Sequence, residues 1–195
     1  MLKNYFRKKT KFAIAIDIVI GIVLLLLLIP GTRKDMVALM LKPTLFFHQP
    51  KVNSEKPTLK ADTYNWQLKD MTGEKISFNK LSGKVVFINI WATWCPPCIA
   101  ELPDLQKLYN DYGDKVEFLF ISNENTEVIK AFLDNKDFTI PAYIPLTQYP
   151  SDFETSSIPT TFVINTNGEI VINKAGLAKW NSKRIRGVLD ALLKQ

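Results

Sequence analysis

Two cysteines three positions apart, Cys95 and Cys98, stand where an apolar run gives way to a helical pattern, in the stretch Trp91-Ala92-Thr93-Trp94-Cys95-Pro96-Pro97-Cys98. The run before them, Val85 to Ile90, has the length and β-branched content of a strand buried on both faces. Ile99-Ala100-Glu101-Leu102 after them reads as helix. A thiol at that junction meets the unpaired N–H groups and positive dipole end of the helix, which favour its thiolate. The thiolate is the species that carries out thiol–disulfide exchange. The second thiol lies one helical turn on, within reach of a mixed disulfide formed by the first. A closed zinc site needs four ligands, usually Cys or His, whereas the chain holds two Cys and one His, the distant His48. A bridge closing so short a loop would constrain the unfolded chain little. The pair is therefore read as a redox-active dithiol, with no cofactor and no metal required.

The chain has 195 residues, enough for one ordinary domain and something more. Residues 12–30 are apolar apart from Asp17, near the roughly 20 residues that a spanning helix needs. Lys3, Arg7, Lys8, Lys9 and Lys11 precede them, which predicts a cytoplasmic basic tail over 1–11 and a transmembrane anchor over 12–30. Pro30-Gly31-Thr32-Arg33-Lys34-Asp35 lacks the small-residue pattern of a signal-peptidase site, so the anchor is read as retained. Residues 31–59 read as a tether: Met36 to Leu41 is an apolar segment of interfacial character, and Pro43, Pro50 and Pro57 favour an extended spacer. His48 falls in that spacer as an exposed side chain. The net charge of +6 is confined to the anchor end, since residues 1–60 carry 11 basic and 3 acidic side chains and residues 61–195 carry 14 and 16. A nucleic-acid binder concentrates positive charge on its folded domain; no nucleic-acid partner is expected.

Residues 60–195 read as the folded domain. Tyr64–Leu68 and Lys75–Phe78 are short strands about a turn at Asp70–Glu74, and 85–91 is the central strand. A helix runs from the cysteines to about Tyr112, followed by a buried strand over 116–121. A second helix covers 127–135 with Val128, Ala131 and Phe132 on one face. Ala142–Leu146 is a short strand or loop. Thr160–Asn165 and Glu169–Asn173 form a hairpin about Asn167-Gly168, and Trp180–Leu193 is a closing amphipathic helix. Strands alternating with helices, then a hairpin and a helix, make an α/β sandwich with a mixed sheet.

Taken together these segments resemble the thioredoxin superfamily, and more closely its membrane-anchored TlpA/ResA-like thiol–disulfide oxidoreductases. The likeness covers roughly residues 60–195. Trp94-Cys95-x-x-Cys98 is similar to the redox motif, and Pro103 stands where thioredoxin-like helices carry a kinking proline. Ile158-Pro159-Thr160-Thr161 resembles the loop with the family's cis-proline, whose backbone edge receives substrate. Classical thioredoxins have a buried Asp six residues before the first cysteine; here it is Asn89, as in the TlpA/ResA-like group. That group also has a Glu three residues after the second cysteine, here Glu101, one turn from Cys98. The resemblance implies that Glu101 accepts the Cys98 proton once burial has raised its pKa. The 61 positions from Cys98 to Pro159 leave room for the group's extra β–α insertion, assigned to the helix near 127–135 and the strand after it. Peroxiredoxins carry a P-x-x-x-T-x-x-C pattern, but Ile88 and Ala92 occupy its positions here, so peroxidase chemistry is not expected. Trp91 is assigned to the core and Trp94 to the surface.

The implied fold is thus a thioredoxin-like sandwich with a mixed central sheet and an extra β–α insertion, behind one N-terminal transmembrane helix. The implied activity is reduction of client-protein disulfides on the outer side of a bacterial cytoplasmic membrane, with cytochrome c maturation as one setting. Cys95 attacks, Cys98 resolves with Glu101 as proton acceptor, and Trp94, Pro96, Pro97, Ile158, Pro159 and Thr160 form the client-binding surface. Cys95 is expected to be the more exposed thiol. Both cysteines are consumed in one turnover, so electrons must come from outside, which the resemblance assigns to a membrane dithiol carrier of the DsbD/CcdA kind. The residues alone leave two other readings open, a disulfide-forming oxidase and a client-holding redox chaperone without turnover.

Overall fold

A computed structural model describes residues 10–195; positions 1–9, most of the expected basic tail, lie outside the described residues. Helix α1 (Lys11–Leu28) is capped by Thr10, whose side chain accepts from the Ala13 N–H. At 1.5 Å per residue it is about 27 Å long, and by length and composition it can cross a membrane (mean hydropathy 2.7). Ile29 takes an extended conformation, and α2 (Pro30–Leu41) starts on a proline, which has no N–H to leave unpaired. The Thr32 hydroxyl donates to the Leu26 carbonyl at 2.7 Å, satisfying an acceptor that the end of α1 exposes. Helix α1 thus ends at Leu28, two residues before the expected end of the anchor at residue 30.

The sheet contains β1 (Gln67–Asp70), β2 (Lys75–Ser77), β3 (Val86–Ile90), β4 (Glu117–Ile121), β5 (Ala142–Pro145), β6 (Thr160–Ile164) and β7 (Ile170–Ala175). Its order is β2-β1-β5-β4-β3-β6-β7. β3, β4 and β5 are parallel neighbours, and the outer pairings are antiparallel. The crossovers are α3 (Pro96–Tyr112) and α4 (Thr126–Asn135), and α5 (Lys183–Leu192) closes the chain. This is the mixed-sheet sandwich expected, and α4 with β5 is the expected insertion.

Period-two alternation divides the core into two layers. Phe87 of β3 and Phe118 and Phe120 of β4 face α3, α4 and α5, where Leu102, Leu105, Ile129 and Leu189 meet them. Val86, Ile88, Leu119 and Ile121 face the other way, onto Trp66, Phe78 and Phe153. Asn89 is the one polar member of β3, and alternation turns it toward the helix layer. Three sequence assignments shift here. The buried face of α4 is Ile129, Phe132 and Leu133, while Val128 and Ala131, expected on that face, are exposed. The strand expected over Tyr64–Leu68 starts only at Gln67, because residues 61–65 form a 3-10 turn, and Trp180, expected to open the closing helix, precedes α5, wholly buried.

The largest difference concerns residues 31–59. They are packed along the domain and do not form a free spacer. Ala38 of α2 is buried against the helix layer, as is Leu45 in the 3-10 turn Lys42–Phe47. Beyond it, the His48 carbonyl accepts from the Lys179 N–H, and the Asn53 N–H donates to the Val171 carbonyl, both at 2.8 Å. Thr58 bridges to Glu169. The reason is the sheet edge: β7 is the last strand, its outer backbone groups need partners, and this segment supplies them. Pro50 and Pro57 are compatible with that role because an edge-covering chain need not donate at every residue.

Candidate active site

β3 and β4 run parallel, and their carboxyl ends open into the loops that carry the chemistry. The Trp91 N–H still donates to the Ile121 carbonyl at 3.0 Å, which extends the pairing one residue and buries the indole in the core as expected. The chain then turns through Thr93, whose N–H and hydroxyl both donate to the Glu124 carboxylate at 2.7 Å. Glu124 is itself held by the Ser122 hydroxyl at 3.1 Å. Neither Thr93 nor Glu124 stands out in the sequence. The available signal is position, since Glu124 follows β4 at the same sheet end where Cys95 follows β3.

Cys95 is the N-cap of α3 and forms a disulfide with Cys98. Pro96 and Pro97 occupy the first two helical positions, so the first N–H that α3 presents is that of Cys98, which donates to Cys95 Sγ at 3.2 Å. In this oxidised form the expected difference in exposure between the thiols is absent: Cys95 is 2% exposed and Cys98 1%. Bridging ties Cys95 down onto the first turn of α3. Trp94 beside it is 63% exposed, on the surface as expected.

Ile158–Pro159 is a cis peptide bond, as the loop's resemblance implied. The Ile158 carbonyl oxygen lies 3.8 Å from Cys95 Sγ, which brings the loop against the disulfide. The Pro159 carbonyl accepts from the Gly176 N–H at 2.7 Å, and Gly176 adopts φ +77, a conformation that suits glycine. Thr160 differs from its expected role. Its side chain is buried and its hydroxyl donates to the Ser157 carbonyl at 2.7 Å, so it braces the loop from behind and presents no side chain to a client. Pro96, Pro97 and Ile158 are partly exposed, whereas Pro159 is buried.

Glu101 lies one turn beyond Cys98 on α3 and is wholly buried. Asn89 Nδ2 donates to one carboxylate oxygen at 2.9 Å, and the Ala178 N–H (3.1 Å) and Trp180 Nε1–H (3.2 Å) donate to the other. Asn89 also donates to the Thr161 hydroxyl, the residue directly opposite it in the β3–β6 register. Burial raises the Glu101 pKa to about 8; the three donors and the Lys174 charge oppose that rise without cancelling it. An ordinary carboxyl, near 4.3, is a far stronger acid than a free thiol, near 8.5, so accepting a thiol proton would be steeply uphill. At about 8 the two are nearly matched, the condition for efficient proton transfer.

A disulfide at the N-terminus of a helix, a cis-proline loop against it and a buried carboxyl one turn on define the site of a thioredoxin-like thiol–disulfide oxidoreductase. The AhpC/TSA family model matches residues 59–172, more than half of the chain. The thioredoxin-like protein YneN of Bacillus subtilis is 38% identical over 130 residues, covering 65% of this chain and 75% of that protein. The thiol–disulfide oxidoreductase ResA of Bacillus cereus is 34% identical over 122 residues, covering 61% and 70%. A Chlorobium tepidum structure provisionally named thiol:disulfide interchange protein DsbE superposes with a TM-score of 0.58 at 22% identity, over 70% of this chain and 99% of that one, and carries the fold alone. The chain belongs to the AhpC/TSA family, as a thioredoxin-like thiol–disulfide oxidoreductase of the ResA kind.

Proposed function

We propose that the chain is a membrane-held reductase of client-protein disulfides whose dithiol faces the outer side of the cytoplasmic membrane. The observation that carries this reading is Glu101, wholly buried one turn from Cys98 with its pKa raised to about 8. In the cycle, the Cys95 thiolate attacks a client disulfide and releases one client thiolate. The ionised form of Glu101 takes the Cys98 proton, and the Cys98 thiolate attacks Cys95 Sγ, expelling the second client sulfur as a thiolate, which then takes up a proton. The client gains two electrons and the chain ends in the disulfide form. Trp94, Pro96, Pro97 and Ile158 supply the client-facing surface beside that disulfide, and the buried Pro159 shapes the loop that presents Ile158.

The reducing direction is supported by Pro96 and Pro97, which remove two of the backbone N–H groups that would otherwise stabilise a Cys95 thiolate. A less stabilised thiolate makes the dithiol the stronger reductant. Regeneration falls to a membrane dithiol carrier of the DsbD/CcdA kind, which anchoring through α1 keeps at high effective concentration. The apolar helix α1 and the basic residues before it support a single-pass, extracytoplasmic placement, and cytochrome c maturation is the proposed setting.

Two measurements test this. The reduced full chain in detergent should reduce insulin disulfides in the presence of dithiothreitol at a rate well above dithiothreitol alone; a rate equal to that blank would overturn the reductase reading. In spheroplasts, a membrane-impermeant maleimide should label Cys95 of the reduced chain without lysis, and labelling only after lysis would overturn the placement.

A further inference from the structure

Thr93, two residues before Cys95, has all three of its polar groups engaged. Glu124 takes its N–H and hydroxyl, and its carbonyl oxygen accepts from Lys34 Nζ at 3.2 Å. Lys34 belongs to α2, the helix that leaves α1 at Ile29, and is 59 positions away in sequence. Its ammonium also lies 5.2 Å from the centre of the Phe132 ring, which in turn packs at 5.6 Å on Trp91. Asp35 next to it pairs with Lys136 at 2.9 Å, and Lys136 approaches Phe132 at 5.7 Å. The juxtamembrane helix is thus held against the active-site end of the sheet by one buried alanine, Ala38, and a lysine–aromatic–lysine arrangement.

We propose that Lys34 is a positioning residue of the active site, holding the Thr93 carbonyl and bringing a positive charge from the membrane-proximal helix to the loop that presents Cys95. The proposal rests on the dithiol reading given above. Its physical basis is the charge inventory around that loop. Glu124 is anchored on Thr93 and Glu154 borders the cleft beside Ile158, while Glu101, one turn beyond Cys98, is kept mostly neutral by burial. Asp35 and Lys136 offset one another as a pair. Lys34 is then the cation bonded directly to the Cys95 loop, and it offsets Glu124 across a single residue. Without it, the Glu124 carboxylate, held on the residue two before the nucleophile, is left without that offset and disfavours the thiolate.

The test uses the full chain in detergent with Cys98→Ser, which leaves Cys95 as the single thiol. Iodoacetamide alkylation is followed from pH 5 to pH 10 in that parent and with Lys34→Gln, Lys34→Met or Lys34→Arg added. Near-UV circular dichroism reports whether each variant keeps its packing. The Gln and Met variants should react about threefold more slowly than the parent at pH 7 and converge with it at pH 10, because only the thiolate population changes. Arg, which keeps the charge and a donor, should restore the parent profile. Gln and Met profiles superimposing on the parent would overturn the proposal, as would an Arg variant displaced as far as Met, since that would mean an unseated helix and not a lost charge. Alkylation reads Cys95 whether or not a client is turned over, so failure of insulin reduction and failure of the Lys34 effect are separate results.

Discussion

Glu101→Gln should abolish most of the pH dependence of stability in this chain while slowing release of the reduced client about 100-fold at pH 7. The stability effect has a definite sign. The folded-state pKa of Glu101 is raised from 4.5 to about 8, so the native state favours the neutral acid. Its contribution is fully present below about pH 4.5 and is lost as pH rises toward 8, because over that range the unfolded chain's carboxyl ionises while the buried one stays protonated. Over that window the loss is on the order of a few kcal/mol, since each tenfold change in proton affinity is about 1.4 kcal/mol. Gln is nearly isosteric and does not titrate. Urea midpoints of the wild-type chain in detergent should therefore fall between pH 5 and pH 9, and those of the Gln variant should stay level. The kinetic effect separates two steps. Attack by Cys95 draws on the helix N-terminus and should change little. Resolution by Cys98 loses its proton acceptor, and the deficit should shrink above pH 8.5, where Cys98 ionises unaided. A Gln variant whose resolution rate tracks wild type across the whole range would remove Glu101 from the mechanism.

The second large effect concerns which sulfur attacks. Cys98→Ser leaves Cys95 able to form a mixed disulfide but removes the group that resolves it. The variant should accumulate client-linked species on non-reducing gels and should lose insulin reduction by a factor of about 1,000 or more. Cys95→Ser should lose activity equally but accumulate almost none. The assignment follows from position: Cys95 is the N-cap of α3, beside exposed Trp94 and the Ile158 carbonyl, whereas Cys98 lies inside the first turn. The oxidised form buries both sulfurs almost equally, so this assignment predicts that Cys95 is the sulfur more accessible once the bridge is reduced. Equal trapping by the two variants would contradict that order.

The parts of this molecule that are legible in sequence are those decided by local chemistry. The strand over Val86–Ile90 shows itself as a continuous apolar run, and α3 ends at Tyr112 where Gly113 follows. Asn167-Gly168 marks the β6–β7 turn because Gly168 takes φ +77 there. Glu101 is locatable because helical spacing places it one turn from Cys98. Its environment is not, since Trp180 and Ala178 are 79 and 77 positions away and nothing local marks them as donors. The same limit hides Lys34, Thr93 and Glu124, which three separate segments bring together. Residues 31–59 mislead for a related reason. Their prolines and charges have the composition of a spacer, yet the exposed edge of β7 recruits them through backbone groups that composition does not reveal.

The reduction potential of the Cys95–Cys98 couple, measured on the full chain against glutathione redox buffers, tests the central claim most directly. The loss of two N–H groups at Pro96 and Pro97 predicts a reducing couple, nearer to about −270 mV, as in thioredoxin, than to about −120 mV, as in DsbA. A value near the DsbA end would mean that the protein donates its disulfide, and the reductase reading would have to be abandoned for an oxidase.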